Sequence, residues 1–359
     1  MRFDMGTKIV SGDGALEALR EFGAKRVLVV CDPFFQKNGQ SALVAKATGA
    51  EQTEIFDRVA PDPTVTLAAE GTKVLKAFDP DLVVALGGGS AMDLAKAMVY
   101  FSGTEAPLAA VPTTSGSGSE VTDFAILTHN GVKHPLVDRR LQPHTAILEG
   151  KLLDSLPKSL IADGGFDALS HAIEAYVARD AGGISDCLAL EAFRRVLALL
   201  PASWGGDKSC RLRLHEASTM AGMAFSQAGL GLCHAASHVL GGRFHIPHGR
   251  LNAILLPAVI SCNAHAAGER YAKMAQEAGM VGAAQTLGVR NLKNTLVRLR
   301  RELNMPGSLR EAGVNLRQLR SETDSLVEAV LADPCCATNP IRVEPYMVRA
   351  VLEEAAGRG

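Results

Sequence analysis

Aromatic side chains are scarce in this sequence, at 5% of 359 residues with a single tryptophan. Packing therefore falls to aliphatic and small side chains, and 35 glycines are available for turns. No CxxC pair occurs among the seven cysteines, whose number is odd. That argues against a disulfide framework and against a thiolate zinc site. Neither charge is in excess, since 37 Lys and Arg face 38 Asp and Glu for a net charge of −1. A nucleic-acid binder or a polybasic membrane binder would carry a basic excess, so neither partner is expected. The 47% hydrophobic content and low net charge exclude intrinsic disorder. The start, Met1 to Gly6, carries no signal peptide, and a reducing, cytoplasmic setting is expected.

From Ala217 to Gly242 there is no Asp, Glu, Lys or Arg. The run is long enough to span a bilayer. It also holds Ser218, Thr219, Ser226, Gln227, His234, Ser237, His238 and several glycines. It reads as buried helices around something polar, and no membrane span is expected.

Length and texture predict two domains. Over the first part, apolar runs at Arg26–Cys31, Leu82–Leu86, Pro107–Val111 and Ala146–Leu148 alternate with helical patterns at Gly14–Phe22, Thr64–Phe78 and Ala91–Phe101. Strand–helix alternation predicts a parallel, doubly wound α/β sheet. After about Pro157 apolar residues recur three and four apart, at Asp167–Ala178, Asp186–Leu200, Arg211–Phe225, Leu292–Leu303 and Pro345–Ala355, punctuated by Pro201 and Pro306. The expected division is an α/β domain over 1–160 and an all-helical domain over 161–359. The mostly polar Gly313–Ser325 reads as a surface connection.

Two glycine-rich turns follow strands. Gly87-Gly88-Gly89-Ser90 stands between the Leu82 run and a helix, where free N–H groups and the helix dipole favour an anion. It is not GxGxxG, and three glycines alone also make a plain tight turn. Asp93 and Lys96 follow one turn later, either as part of that site or as a surface ion pair. The second turn, Pro112-Thr113-Thr114-Ser115-Gly116-Ser117-Gly118-Ser119-Glu120, offers hydroxyl and amide donors suited to pyrophosphate or ribose. Asp32, at the end of the first strong strand, can accept a ribose hydroxyl and repel a 2′-phosphate, favouring NAD over NADP, or can simply open a turn with Pro33.

Asp167 and His171 lie four apart, on one helix face with Glu174. His234 and His238 are also four apart, and His248 follows in His245-Ile246-Pro247-His248-Gly249. Imidazoles and a carboxylate on small-residue helices are costly to bury unpaired. A divalent metal satisfies them together, and nitrogen and oxygen donors without thiolate suit Fe²⁺ or Zn²⁺. His129, His134, His144, His215 and His265 lack this context and are expected at the surface.

These motifs, in this order, resemble the iron-dependent (group III) alcohol dehydrogenases: GGGS-x-x-Asp93-x-x-Lys96, PTTSGSGSE, Asp167-Ala-Leu-Ser-His171-Ala-Ile-Glu174, and His234-x3-His238-x9-His248-Gly249. The segment MAGMAFSQAGLGLCHA with HIPHG is most similar to the alcohol dehydrogenases of ethanolamine and propanediol utilisation. The resemblance implies the dehydroquinate synthase-like fold, with a dinucleotide domain followed by a helical domain. It implies that Asp167, His171, His234 and His248 hold the metal and that His238 is the non-ligand, catalytic histidine beside it. It implies cofactor contacts at Asp32, Gly87, Gly88, Gly89, Ser90, Asp93, Thr113, Thr114, Ser117 and Lys133. Phe225 matches a pocket wall, and Phe124 replaces an Asn found in some members; together they imply a small apolar substrate. The implied activity is metal-dependent, NAD(H)-linked hydride transfer between short primary alcohols and aldehydes, by a homodimer or higher oligomer. Glu149 and Asp62 depart from the family pattern of Asp and Asn. The resemblance to the utilisation enzymes implies a bacterial microcompartment, yet the chain begins almost on its first fold element, with no amphipathic extension to serve as a tag. A lyase or cyclase of the dehydroquinate synthase type is the alternative; it uses a glutamate and two histidines. Maleylacetate reductases are relatives that lack the metal set.

Overall fold

A computed structural model describes residues 3–280 and 284–357. These form two compact units. The first comprises Asp4–Leu156 and Lys208–Gly222; the second comprises Pro157–Asp207 and the chain from Met223 onward.

The first unit is built on six parallel strands, in the order β1-β8-β5-β4-β2-β3. They are β1 (Lys8–Ser11), β2 (Arg26–Cys31), β3 (Gln52–Phe56), β4 (Leu82–Gly87), β5 (Leu108–Pro112) and β8 (Thr145–Leu148). β6 (Phe124–His129) and β7 (Val132–Val137) form a separate antiparallel hairpin. The helices are α1 (Pro33–Lys37), α2 (Gln40–Thr48), α3 (Val65–Phe78) and α4 (Gly89–Ser102). Strands β2, β4 and β5 are apolar on both faces, as a doubly covered parallel sheet requires. Alternation sorts their side chains. Leu28, Val30, Val83, Ala85, Leu108 and Ala110 pack with Leu75, Met92 and Met98 of α3 and α4. Val27, Val29, Leu82, Val84, Leu86 and Val111 pack with Leu16, Leu19 and Val44 on the other face.

Strand order reverses at β2. β3 lies on one side of it and β4 on the other. Cys31 pairs with Leu86, and Gly87 pairs with Pro112. Asp32, the Gly87 turn and the Thr113 turn therefore all leave the carboxyl ends of adjacent strands, where open α/β sheets bind ligands.

The second unit contains only helices among its described regular elements. They are α5 (Lys158–Val177), α6 (Gly183–Gly205), the end of α7 (Arg211–Ala228), α8 (Leu232–Phe244), α9 (His248–Glu277), α10 (Gln285–Glu302), α11 (Leu316–Ser321), α12 (Thr323–Ala332) and α13 (Pro345–Ala356). The long, apolar α9 passes the length and hydropathy test for a membrane span, but most of it is buried in the protein. The uncharged run 217–242 is divided between α7 and α8.

Several expectations change. Pro201 does not end α6, which continues to Gly205 and stops at Gly206 in the left-handed region. The helical segment expected at Gly14–Phe22 is present, as a 3-10 helix over Ala15–Phe22. The segment read as a surface connection contains α11, capped by Asn315. β6 and β7 were not anticipated, because Lys133, His134 and Pro135 mask the strand pattern. Their signal is Asn130-Gly131, a two-residue turn with both residues at positive φ. Lys96 is no surface residue: it is fully buried, and its Nζ donates to the Thr122 carbonyl, Thr122 Oγ1 and the Phe124 carbonyl, each at 2.9 Å.

Lys96 thus ties α4 to the hairpin. Lys96→Met should leave those oxygens unpaired inside the core and cost about 3–5 kcal/mol, read as a lower urea midpoint.

Candidate metal centre and cofactor turns

Three helices of the second unit supply the candidate metal ligands. Asp167 and His171 stand on α5, His234 on α8, and His248 at the first position of α9. Asp167 Oδ1 lies 3.5 Å from His248 Nε2, 3.8 Å from His234 Nε2 and 3.9 Å from His171 Nε2. One donor atom each from Asp167, His234 and His248 falls within a 4.8 Å cluster. These separations are long for direct hydrogen bonds. Donors sharing one tetrahedral ion at about 2.1 Å stand roughly 3.4 Å apart, so the set fits a divalent cation. The electrostatics agree. Burial opposes the charge on Asp167, but His171, His234 and His248 outweigh it and hold the carboxyl below its usual range. Burial likewise opposes protonation of His234, yet Asp167 and Glu174 raise it to about 9. Positive charge is stabilised on His234, whereas burial and the neighbouring imidazoles hold His248 well below its usual range.

Glu174, on the same α5 face, orients the set. Its Oε2 sits 2.6 Å from His234 Nδ1, leaving Nε2 for Asp167's side. The same carboxylate accepts the backbone N–H groups of Gly231 and Cys233 at 3.1 and 2.7 Å. It therefore caps α8, whose own N-cap, Gly231, brings no side chain. Asn252 of α9 donates to Asp167 Oδ1 at 2.9 Å. His171 stacks between Phe225 and His234, at 4.2 and 4.5 Å between ring centroids, so Phe225 adjoins the candidate ligands. His238 stacks on His248, and its Nδ1 lies 2.9 Å from Asp333 Oδ2. Asp333, Asn252 and the capping by Glu174 escaped the sequence reading. Only Asp333, beside Pro334 and Cys335, carries a local signal, as the cap of a short 3-10 turn.

In the first unit the two glycine turns meet. Gly87 has φ +151, and a Cβ there would come 2.6 Å from the Ala91 Cβ. A Cβ on Gly88 would stand 3.0 Å from Thr114 Oγ1, and one on Gly89 3.3 Å from the Ser117 Cβ. Helix α4 begins here with no side-chain cap and no acid in its first turn. Thr113 is buried, and its Oγ1 has no partner among the described residues. A cradle that side chains would fill, with an open helix N-terminus and an orphaned hydroxyl, fits a dinucleotide phosphate. Ser90 lies in the first turn of α4, and Asp93 follows it. Asp93 accepts Ser119 Oγ at 3.0 Å, and burial raises it to about 6. Asp32 caps α1 through Phe34 N at 2.7 Å. Lys133 lies on β7 and pairs with Asp62 at 2.7 Å, so the extra charge of Asp62 meets that lysine. Phe124 starts β6 in this unit. Glu149 is buried and accepts Gly14 N at 2.9 Å.

His215 corrects an expectation. It is 1% exposed, not a surface group. Burial lowers it to about 4, opposed only in part by the nearby Pro112 carbonyl.

Two outcomes follow from these contacts. Glu174→Gln should weaken metal binding roughly 10- to 100-fold, measured by Zn²⁺ titration against a chelator, because the imidazole loses its charged orienting partner. For His215, both folded and unfolded states are neutral above pH 6.5. Between about 6.5 and 4 only the unfolded chain takes up the proton, so stability falls as pH falls, by up to about 3 kcal/mol. Urea unfolding of His215→Phe should lack that slope.

Residues 6–150 match the family described as iron-containing alcohol dehydrogenase, and residues 161–356 match the Fe-containing alcohol dehydrogenase family, C-terminal. The chain is 38% identical over 368 aligned positions to the 1-propanol dehydrogenase PduQ of Salmonella typhimurium, covering 98% of this chain and 99% of that one. It is 34% identical over 379 positions to the NADPH-dependent butanol dehydrogenase of Clostridium saccharobutylicum, covering 98% and 97%. The solved iron-containing alcohol dehydrogenase of Thermococcus thioreducens superposes with a TM-score of 0.92 at 32% identity, over 99% of this chain and 100% of that one. The chain belongs to the iron-containing alcohol dehydrogenase family and is an alcohol dehydrogenase of the dehydroquinate synthase-like fold.

Proposed function

We propose that this enzyme interconverts short primary alcohols and aldehydes with NAD(H), using Fe²⁺ or Zn²⁺ held by Asp167, His171, His234 and His248. The observation that carries the metal reading is the convergence of three imidazole nitrogens on Asp167 Oδ1 at 3.5–3.9 Å. Such a cation supplies Lewis acidity toward a substrate oxygen, and a nicotinamide supplies the hydride acceptor. The protein's own work is placement. Glu174 and Asn252 fix the donors, and Phe225 shields His171 with an apolar ring. His238, held at Nδ1 by Asp333, is the proton-handling or ribose-orienting group, and its side chain keeps 23% exposure through which a proton can reach solvent.

The cofactor preference rests on Asp32 at the carboxyl end of β2, beside the Gly87 turn across the β2–β4 pairing. A carboxylate there favours a ribose hydroxyl over a 2′-phosphate. The relative named as NADPH-dependent makes this a point to measure. The short-alcohol reading is supported by the propanol and butanol dehydrogenases among the relatives and by Phe225 beside the ligands. A cytoplasmic homodimer remains part of the proposal.

Metal-stripped protein, reconstituted anaerobically with Fe²⁺ or Zn²⁺, should oxidise NADH in the presence of acetaldehyde or propionaldehyde, and NADPH more slowly. Tight NADH binding without turnover under either metal would favour the lyase-type alternative. His248→Ala should lose bound metal and turnover together, and full turnover by a metal-free variant would sink the assignment.

A further inference from the structure

We propose that His215 is a positioning residue for the cofactor, holding the hydroxyl-rich turn after β5 in its receiving shape through Ser115. The inference rests on the cofactor reading of that turn. Thr113 to Ser119 contains Gly116 and Gly118 and four other small hydroxyl residues besides Thr113. Such a segment is intrinsically loose. Ordering it at the moment of binding would be taken from cofactor affinity, so a binding turn gains from anchors outside itself.

The anchors are present on one face of α7. Ser115 Oγ and His215 Nδ1 share a hydrogen bond at 3.0 Å. Thr219, four residues on, donates to Glu120 Oε1 at 2.6 Å. At Gly222, three further, a Cβ would come 2.8 Å from the Gly118 Cα, so the helix and the turn touch backbone to backbone. Positions 215, 219 and 222 share a helix face. The far end of the turn is held by α4, where Ser119 donates to Asp93 at 3.0 Å and receives Lys96 at 3.3 Å. Ser115 and Ser119 are therefore the tethers. Thr113 and Thr114, just before Ser115, and Ser117, between the two, are left to face a ligand.

The choice of histidine is the second observation. His215 is 1% exposed, and its Nε2 has no partner among the described residues. Burying that nitrogen costs the fold its desolvation. An aromatic ring of similar size without nitrogen would fill the same space without that cost. The imidazole makes sense for what Nδ1 does to Ser115 rather than for packing.

That reasoning separates positioning from a purely structural role. Calorimetric titration of the metal-loaded protein with NADH should show Kd rising roughly three- to tenfold in His215→Phe, the loss of one hydrogen bond. Its urea midpoint at neutral pH should equal or exceed that of the wild type, its metal content should be unchanged, and KM for NADH should rise while KM for the alcohol does not. His215→Asn, which keeps a polar atom near the Nδ1 position, should bind close to wild type. Ser115→Ala should weaken binding as much as His215→Phe, and the double variant should be no weaker than either, since both break one interaction. Wild-type NADH affinity in His215→Phe, or additive effects in the double variant, would overturn the inference alone. If the wild-type enzyme itself binds no NADH, the cofactor reading falls and takes the inference with it. If His215→Phe does not fold, Ser115→Ala carries the test, with unchanged affinity as the contrary result.

Discussion

A buried carboxylate facing three imidazoles is the constraint around which α5, α8 and α9 are arranged. Asp167 is 9% exposed, and its charge in that setting demands concentrated compensation. The compensation comes from His171 one turn along the same helix, and from His234 and His248 on two others. A cation shared among them would satisfy the donors that direct hydrogen bonds, at these separations, do not. Every other feature of this unit's centre bears on keeping those atoms within reach.

Close helix approach is the first such feature. A Cβ on Gly249 would fall 1.9 Å from the Asp163 carbonyl oxygen, so the start of α9 reaches α5 only because residue 249 has no side chain. At Gly165 the neighbour is instead the end of the Leu200 side chain of α6, at 2.4 Å. Arg250 and Asp163 then join the two helices by a paired hydrogen bond at 3.2 and 2.9 Å. Orientation is the second. Glu174 serves as both helix cap and histidine partner, which links the direction of α8 to the direction of the His234 ring. The low aromatic content has its counterpart here: small residues bring backbones together, and a single ring, Phe225, stacks on His171.

The parts legible in the sequence were those where local pattern and tertiary environment agree. Arg26–Cys31 and Leu82–Leu86 read as strands because both of their faces are buried. Asp167 with His171 and His234 with His238 stood out because each pair lies four apart, while the proposed ligand quartet with His248 came from the family resemblance. The edge strand Gln52–Phe56 did not, because its partly exposed, polar pattern lacks an apolar run. β7 was hidden by Pro135 and its charged neighbours. Pro201 misled because a helix can tolerate proline near its end when packing holds the remaining turn. His215 looked like a surface residue in isolation; only the fold brings it against Ser115, 100 residues away. Asn252 and Asp333 lie 85 and 95 residues from the side chains they hold, beyond any local signal.

Anomalous diffraction from crystals of the Fe²⁺-loaded protein, recorded at the iron edge, tests the central claim most directly. The account predicts one iron peak per chain, bonded to Asp167 and to the Nε2 atoms of His171, His234 and His248, with His238 outside the bonding distance. An iron peak held instead by His238, Asp333 and Cys335, the other group of donors among the described residues close enough to share an ion, or no peak in fully active protein, would contradict it.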